Sequence, residues 1–165
     1  MKIEYKGDEI IISDFKPLEA YKIARRLEAE GINFYSLFLS SVDDVEAEKA
    51  VYSLLTEERK HLKFFSQKAE ELSGPFDENS IVDEIDTRVF GALGESVDLA
   101  AIIKDEKKAI ELGIFFEKRS VSFFKACLGK TADAPAKKAF EDIIKEEEKH
   151  LESLKGILKI WRGVS

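Results

Sequence analysis

The sequence predicts an all-α protein, a four-helix bundle built from two antiparallel helix pairs. Four long segments carry apolar residues at helical spacing, and prolines (three) and glycines (nine) fall mostly between these segments. The second observation is an internal repeat, in which residues 44–62 and 133–151 are identical at nine of nineteen positions. The repeat therefore predicts that the two helix pairs are related by a pseudo-two-fold axis.

The first helix pair is predicted to follow a short N-terminal segment. Residues 1–16 alternate weakly between apolar and polar side chains, which fits either an extended arm or a small hairpin, and the bundle occupies residues 17–165. Pro17 suits a first helical turn, so we expect helix A over 17–41. Asp43 and Asp44 suit the start of helix B, which runs to about residue 72. The A–B connection is very short, so these helices are antiparallel neighbours.

A long crossover is predicted between the two pairs. Residues 75–104 lack a sustained apolar period, and we expect one or two short helices there, at 83–93 and 96–103. Helix C is expected over 105–128, before Gly129. Asp133 and Pro135 suit the start of helix D, which is expected to end near residue 161. Two similar pairs joined by such a crossover form an inverted internal repeat.

Composition excludes several classes of function. A formal net charge of −7 and a pI near 5.1 argue against nucleic-acid and anionic-membrane surfaces, so we expect neither partner. No apolar run approaches the ~20 residues of a membrane span, and no signal-peptide hydrophobic region is expected. The lone Cys127 excludes an intramolecular disulfide and favours a reducing cytoplasm.

The repeat contains a Glu-x-x-His motif twice, as Glu58 with His61 and as Glu147 with His150. In a helix each pair lies on one face, and here that face is the apolar one. A carboxylate and an imidazole placed together in a core need a partner, and a metal ion is one candidate. The alternative is a solvated Glu beside a hydrogen-bonded His, which is the commoner explanation for a single such motif.

Glu28 and Glu117 are related by the same 89-residue offset as the two motifs. Each is the acidic member of a helical stripe of otherwise small and aromatic residues. An acid at the edge of such a stripe can extend to solvent, but two matched acids at one offset favour further ligands. The predicted ligand set is then Glu28, Glu58, His61, Glu117, Glu147 and His150.

These six residues offer four carboxylates and two imidazoles, which is enough for two divalent ions. An oxygen-rich set with one nitrogen per metal and no thiolate favours iron or manganese over structural zinc. By symmetry we expect Glu58 and Glu147 to bridge the ions. Glu28 with His61 would complete the coordination of one ion, and Glu117 with His150 that of the other.

The order of these ligands resembles the ferritin-like di-iron carboxylate proteins, and the rubrerythrin branch in particular. The first- and third-helix motifs of that branch are similar to residues 28–35 and 117–124. The resemblance covers about residues 17–162 and implies a ferritin-like bundle with two iron ions. Rubrerythrins proper carry a further Glu beside the third-helix ligand, whereas Ile114 and Ser120 flank Glu117 here. They also carry a Cys₄ rubredoxin domain, and this chain has one cysteine.

The function expected from this resemblance is redox chemistry with Fe(II), O₂ or H₂O₂, as in a ferroxidase or peroxidase. Electrons would then come from a separate donor protein, and we expect a homodimer. An iron-binding protein with little turnover and a partner-binding helical bundle are the alternatives. Tyr35 lies seven residues after Glu28, where the repeat has Phe124, so its hydroxyl is a candidate hydrogen-bond donor to a metal-ligating carboxylate.

Overall fold

The computed structural model describes residues 1–73 and 99–163. A two-stranded hairpin precedes the helices, with β1 at Lys2–Lys6 and β2 at Glu9–Ser13. The helices of the described residues are α1 (Pro17–Leu39), α2 (Val45–Ser73), α3 (Leu99–Ile102), α4 (Glu106–Leu128) and α5 (Ala134–Trp161). The four long helices confirm the predicted all-α fold.

Helices α2 and α5 begin where the sequence places capping residues. Asp44 accepts a hydrogen bond from the Ala47 amide at 2.8 Å, and Asp133 accepts one from the Ala136 amide at 2.8 Å. These two aspartates are equivalent under the repeat, so the α2 and α5 starts use the same cap. Helix α1 ends at Leu39, two residues before the predicted end. The hydroxyls of Ser40 and Ser41 donate hydrogen bonds to the Leu37 and Phe38 carbonyls in the last turn.

The bundle consists of two helix pairs that pack face to face. Helix α1 packs along α2 and α4 packs along α5, while α2 meets α5 and α1 meets α4 across the core. Aromatic rings fill much of the interior, including Phe34, Phe65, Phe124 and Phe140. None of the helices in residues 1–73 and 99–163 combines the length and the apolar character required to cross a membrane.

The predicted crossover falls largely outside the described residues. The short helix expected at 83–93 lies there entirely. The helix expected at 96–103 overlaps α3, which is described only from Leu99.

The N-terminal segment forms the hairpin of the two alternatives considered. Gly7 in its turn has a φ of 63°, a conformation that glycine adopts without steric cost. Strand β2 packs on α4, where the Ile10 amide donates to the Ser122 hydroxyl at 2.8 Å. The buried side chains of Ile10 and Ile12 thereby extend the core over the outer side of α4.

Candidate metal centre

All six predicted ligands lie together in the centre of the bundle. Helices α1 and α4 each contribute one carboxylate, and α2 and α5 each contribute a Glu-x-x-His pair. Every one of these side chains is buried, with residue exposures between 1% and 8%. Their buried positions result from apolar helical stripes, since neighbours one turn away, such as Leu54 and Ile143, are core residues.

His61 points its Nδ1 atom at carboxylates from two other helices. The distance from this nitrogen to Glu147 Oε1 is 2.9 Å, and the distance to Glu28 Oε2 is 3.8 Å. Despite this short distance, neither His61 Nδ1 nor Glu147 Oε1 makes a hydrogen bond of acceptable geometry within residues 1–73 and 99–163. One donor atom each from His61, Glu28, Glu58 and Glu147 lies within 4.8 Å of the others, which is close enough for one metal ion to contact all four.

His150 occupies the equivalent position at the other end of the cluster. Its Nδ1 atom lies 3.3 Å from Glu58 Oε1, 3.7 Å from Glu117 Oε2 and 3.6 Å from Glu147 Oε2. The two imidazole ring centroids are 6.2 Å apart. The two halves of the chain therefore supply two similar groups of donor atoms side by side.

Two carboxylates belong to both groups. One group comprises Glu28, Glu58, His61 and Glu147, and the other comprises Glu58, Glu117, Glu147 and His150. Within each group, one donor atom per residue can be chosen so that all lie within 4.8 Å of one another. Glu58 and Glu147 are the shared members, which is the arrangement that bridging carboxylates require.

The donor set fits divalent metal ions. Six side-chain atoms of the cluster are buried and make no hydrogen bond within the described parts of the chain: Glu28 Oε1, His61 Nδ1, Glu117 Oε2, both Glu147 oxygens and His150 Nδ1. Unpaired polar atoms are costly in a protein interior, so such a concentration of them needs a partner. Cations coordinated by carboxylate oxygens and imidazole nitrogens would satisfy all six.

The pKa values in the metal-free chain show how the carboxylates affect one another. Burial and the nearby carboxylates of Glu58 and Glu147 raise the pKa of Glu28 well above its usual value. Burial and the carboxylate of Glu147 raise the pKa of Glu117 to about 8, although the nearby imidazole of His150 acts in the opposite direction and lowers it. These acids therefore tend to hold protons near neutral pH when no metal is bound.

The pKa values of the two histidines are raised, so that their positive charge balances the negative charge of the carboxylates. Burial alone would lower the pKa of His61, but the surrounding carboxylates, Glu147 first, outweigh it and raise the pKa to about 9. The same competition raises the pKa of His150 to about 12. In the metal-free chain, protons thus provide the positive charge that the carboxylates need, and metal ions would replace those protons.

Glu146 holds His61 from the side opposite the cluster. Its Oε2 atom lies 2.7 Å from His61 Nε2, which places the imidazole proton on Nε2 and leaves Nδ1 free to coordinate when the ring is neutral. Its counterpart in the repeat, Glu57, forms an ion pair with Lys60 at 2.9 Å instead. Glu146 was assigned no role from the sequence, although an acid directly precedes each predicted Glu ligand in the repeat and was a signal for one.

Tyr35 contacts one of the predicted ligands. Its hydroxyl donates a hydrogen bond to Glu117 Oε1, from α1 across to α4. The Tyr35 ring fits here because Gly113 has no side chain. A Cβ atom at position 113 would lie only 3.2 Å from the Tyr35 hydroxyl and 3.1 Å from the Leu154 side chain. The equivalent Phe124 is a core aromatic that stacks on Phe65 at a centroid distance of 5.3 Å.

Comparison with known proteins supports the assignment of a family. The model of the family described as Rubrerythrin matches residues 67–158, which is more than half of the chain. No curated protein and no solved structure matches the chain. With a matching family model, a four-helix bundle and a buried carboxylate–histidine cluster, the chain belongs to the rubrerythrin family, a group of ferritin-like di-iron proteins.

Proposed function

We propose that this chain is a non-haem di-iron protein that carries out redox chemistry with Fe(II), O₂ or H₂O₂. The observation that carries the proposal is the pair of donor groups that share Glu58 and Glu147. Six buried atoms of this cluster make no hydrogen bond in the part of the chain that the structure describes. Iron is proposed over manganese because the chain belongs to a family that typically binds iron.

Two iron ions, when bound, supply the two electrons that reduce O₂ or H₂O₂. The six ligands provide four negative charges, which match two divalent cations in a core where uncompensated charge is costly. Glu28 and His61 would hold one ion, and Glu117 and His150 would hold the other. The shared carboxylates of Glu58 and Glu147 would contact both ions. This assignment follows from the two donor groups.

The residues around the ligands prepare the site. Glu146 keeps the His61 ring in a tautomer whose Nδ1 is available. Tyr35 fixes one oxygen of Glu117. The other oxygen, Oε2, accepts no hydrogen bond from the described residues and is available as a ligand. Burial of all six ligands excludes bulk water from most of the site and strengthens their interaction with a cation.

Electrons for repeated turnover would come from a separate protein. A Cys₄ iron site needs four thiolates, and these 165 residues contain only Cys127. Cys127 is buried in the core and burial raises the pKa of its thiol, so it is a packing residue. We place the protein in the cytoplasm because a single reduced thiol fits that compartment.

The proposal is tested by single-turnover oxidation. The chain is loaded anaerobically with Fe(II) and mixed with O₂ or H₂O₂, and the appearance of the near-ultraviolet absorption of the ferric product is followed. We expect the bound Fe(II) to be oxidised much faster than free Fe(II). In Glu58→Ala we expect neither this fast oxidation nor the near-ultraviolet absorption. Bound Fe(II) that reacts no faster than free Fe(II) would instead favour an iron-binding role without turnover.

A further inference from the structure

A groove between α2 and α5 leads from the surface to one of the predicted ligands. Its volume is about 330 Å³, and its lining includes His150 together with Ser53, Glu57, Glu146, Lys149 and Ser153. His150 is the most exposed of the six ligands, at 8%, whereas His61 is 3% exposed. The groove therefore reaches the cluster at its Glu117–His150 end.

The internal repeat shows why the other end differs. Ser153 lies one helical turn after His150, and the residue one turn after His61 is Phe64. A helical side chain leans over the turn that precedes it, so Phe64 covers the turn that carries His61. Its ring is half-buried and packs edge-to-face on Phe65 at a centroid distance of 5.2 Å. Ser153, by contrast, is short and exposed.

The hydrogen bonds around the two histidines also leave His150 less enclosed than His61. His61 Nε2 is bonded to Glu146, which ties the ring to α5. Glu57, the equivalent acid for His150, is instead engaged by Lys60 on its own helix. His150 thus has more access to solvent and lacks the carboxylate contact that Glu57 would have supplied by symmetry.

We propose that divalent metal ions enter and leave the centre through the α2–α5 groove, so that the ion at the Glu117–His150 end exchanges first. This inference rests on the proposed two-metal centre. The route carries two carboxylates, Glu57 and Glu146, and one ammonium, Lys149. Two residues that line the groove are small, Ser53 and Ser153. The repeat places the charged Asp142 and the larger Phe64 at the equivalent positions of the other end.

The test uses Co²⁺ as a probe, because its visible absorption reports binding without oxidation. Equilibrium titration gives the number of bound ions, and mixing with excess EDTA gives the rates of release. For the wild type we expect two bound ions, released in a fast and a slow phase of equal amplitude. Ser153→Phe should keep two ions but slow the fast phase by about tenfold.

Two further variants complete the experiment. Ser36→Phe makes the same substitution at an exposed position of α1 outside the groove, and we expect it to leave both phases unchanged. Phe64→Ser should accelerate the slow phase, and it decides the matter if Ser153→Phe does not fold. If the chain binds two ions and neither Ser153→Phe nor Phe64→Ser changes their rates of release, the inference is overturned while the proposed function stands. A wild-type chain that binds no Co²⁺ would overturn the proposed function as well.

Discussion

The Tyr35 hydroxyl donates a hydrogen bond to Glu117, joining the first helix pair to a proposed metal ligand on the second. This contact has no counterpart at the other end, where the repeat places Phe124. A hydrogen bond to a carboxylate lowers its basicity and fixes its orientation. The two ends of the proposed centre therefore have matching candidate ligands but different surroundings.

Tyr35→Phe should remove this difference without changing the packed volume. We expect the variant to bind two metal ions whose affinities are more alike, with the affinity at the Glu117 end changed by about tenfold. Isothermal titration measures both affinities, and Tyr52→Phe, at a tyrosine that is 62% exposed, is the matched control. Affinities and oxidation kinetics identical to the wild type would leave Tyr35 as a packing residue.

Glu146→Ala should weaken metal binding mainly at the His61 end. The variant loses the carboxylate that orients the His61 ring, and such a loss typically costs about tenfold or more in metal affinity. Glu57→Ala is the matched control, because it changes the equivalent residue of the repeat, which pairs with Lys60 rather than with a ligand. Equal losses in the two variants would contradict the proposed role of Glu146.

The stability of the metal-free chain should fall as the pH rises from about 5 to about 9. The pKa of Glu117 rises from 4.5 to about 8 on folding, and that of His61 from 6.5 to about 9. The folded chain thus binds more protons than the unfolded chain in this range. The stabilisation is complete below the unfolded pKa values and is lost as the pH passes the folded ones.

Urea unfolding of the metal-free chain at several pH values measures this effect, which we expect to exceed about 1 kcal/mol between pH 6 and pH 9. Glu28→Gln combined with Glu117→Gln should flatten the profile, because it removes two of the groups that titrate. The same change at two exposed acids, Glu48 and Glu141, is the control. A free energy of unfolding that increases toward pH 9 would show that these pKa shifts have the wrong sign.

The shared carboxylates should be more important for metal binding than the terminal histidines. Glu58→Ala or Glu147→Ala removes a ligand common to both donor groups, so each should disable both metals. His61→Ala or His150→Ala should mainly weaken one metal. Metal titration of the four variants separates these outcomes, with Glu148→Ala as a surface control. Complete loss of both metals in all four would refute the assignment of bridges.

The helix pairs and the six-residue cluster could be predicted because repeated local patterns encode them. Apolar residues at helical spacing place Glu58 and His61 on a buried face, and the offset of 89 identifies the second set. Capping by Asp44 and Asp133 is equally local.

Features that depend on contacts between helices could not be predicted in the same way. The bond between His61 and Glu146 joins α2 to α5, and sequence spacing does not determine which acid faces which ring. The closeness of Tyr35 to Gly113 depends on how α1 packs against α4. The choice between an arm and a hairpin for residues 1–16 was likewise settled by packing of β2 on α4.

The stoichiometry of anaerobic Fe(II) binding tests the dinuclear centre most directly. The intact chain is titrated with Fe(II), and bound iron is measured after removal of the free ion. The account predicts two ions per chain, and none in a Glu58→Ala, Glu147→Ala double variant that retains its helical fold. One ion per chain or fewer in the wild type would contradict it.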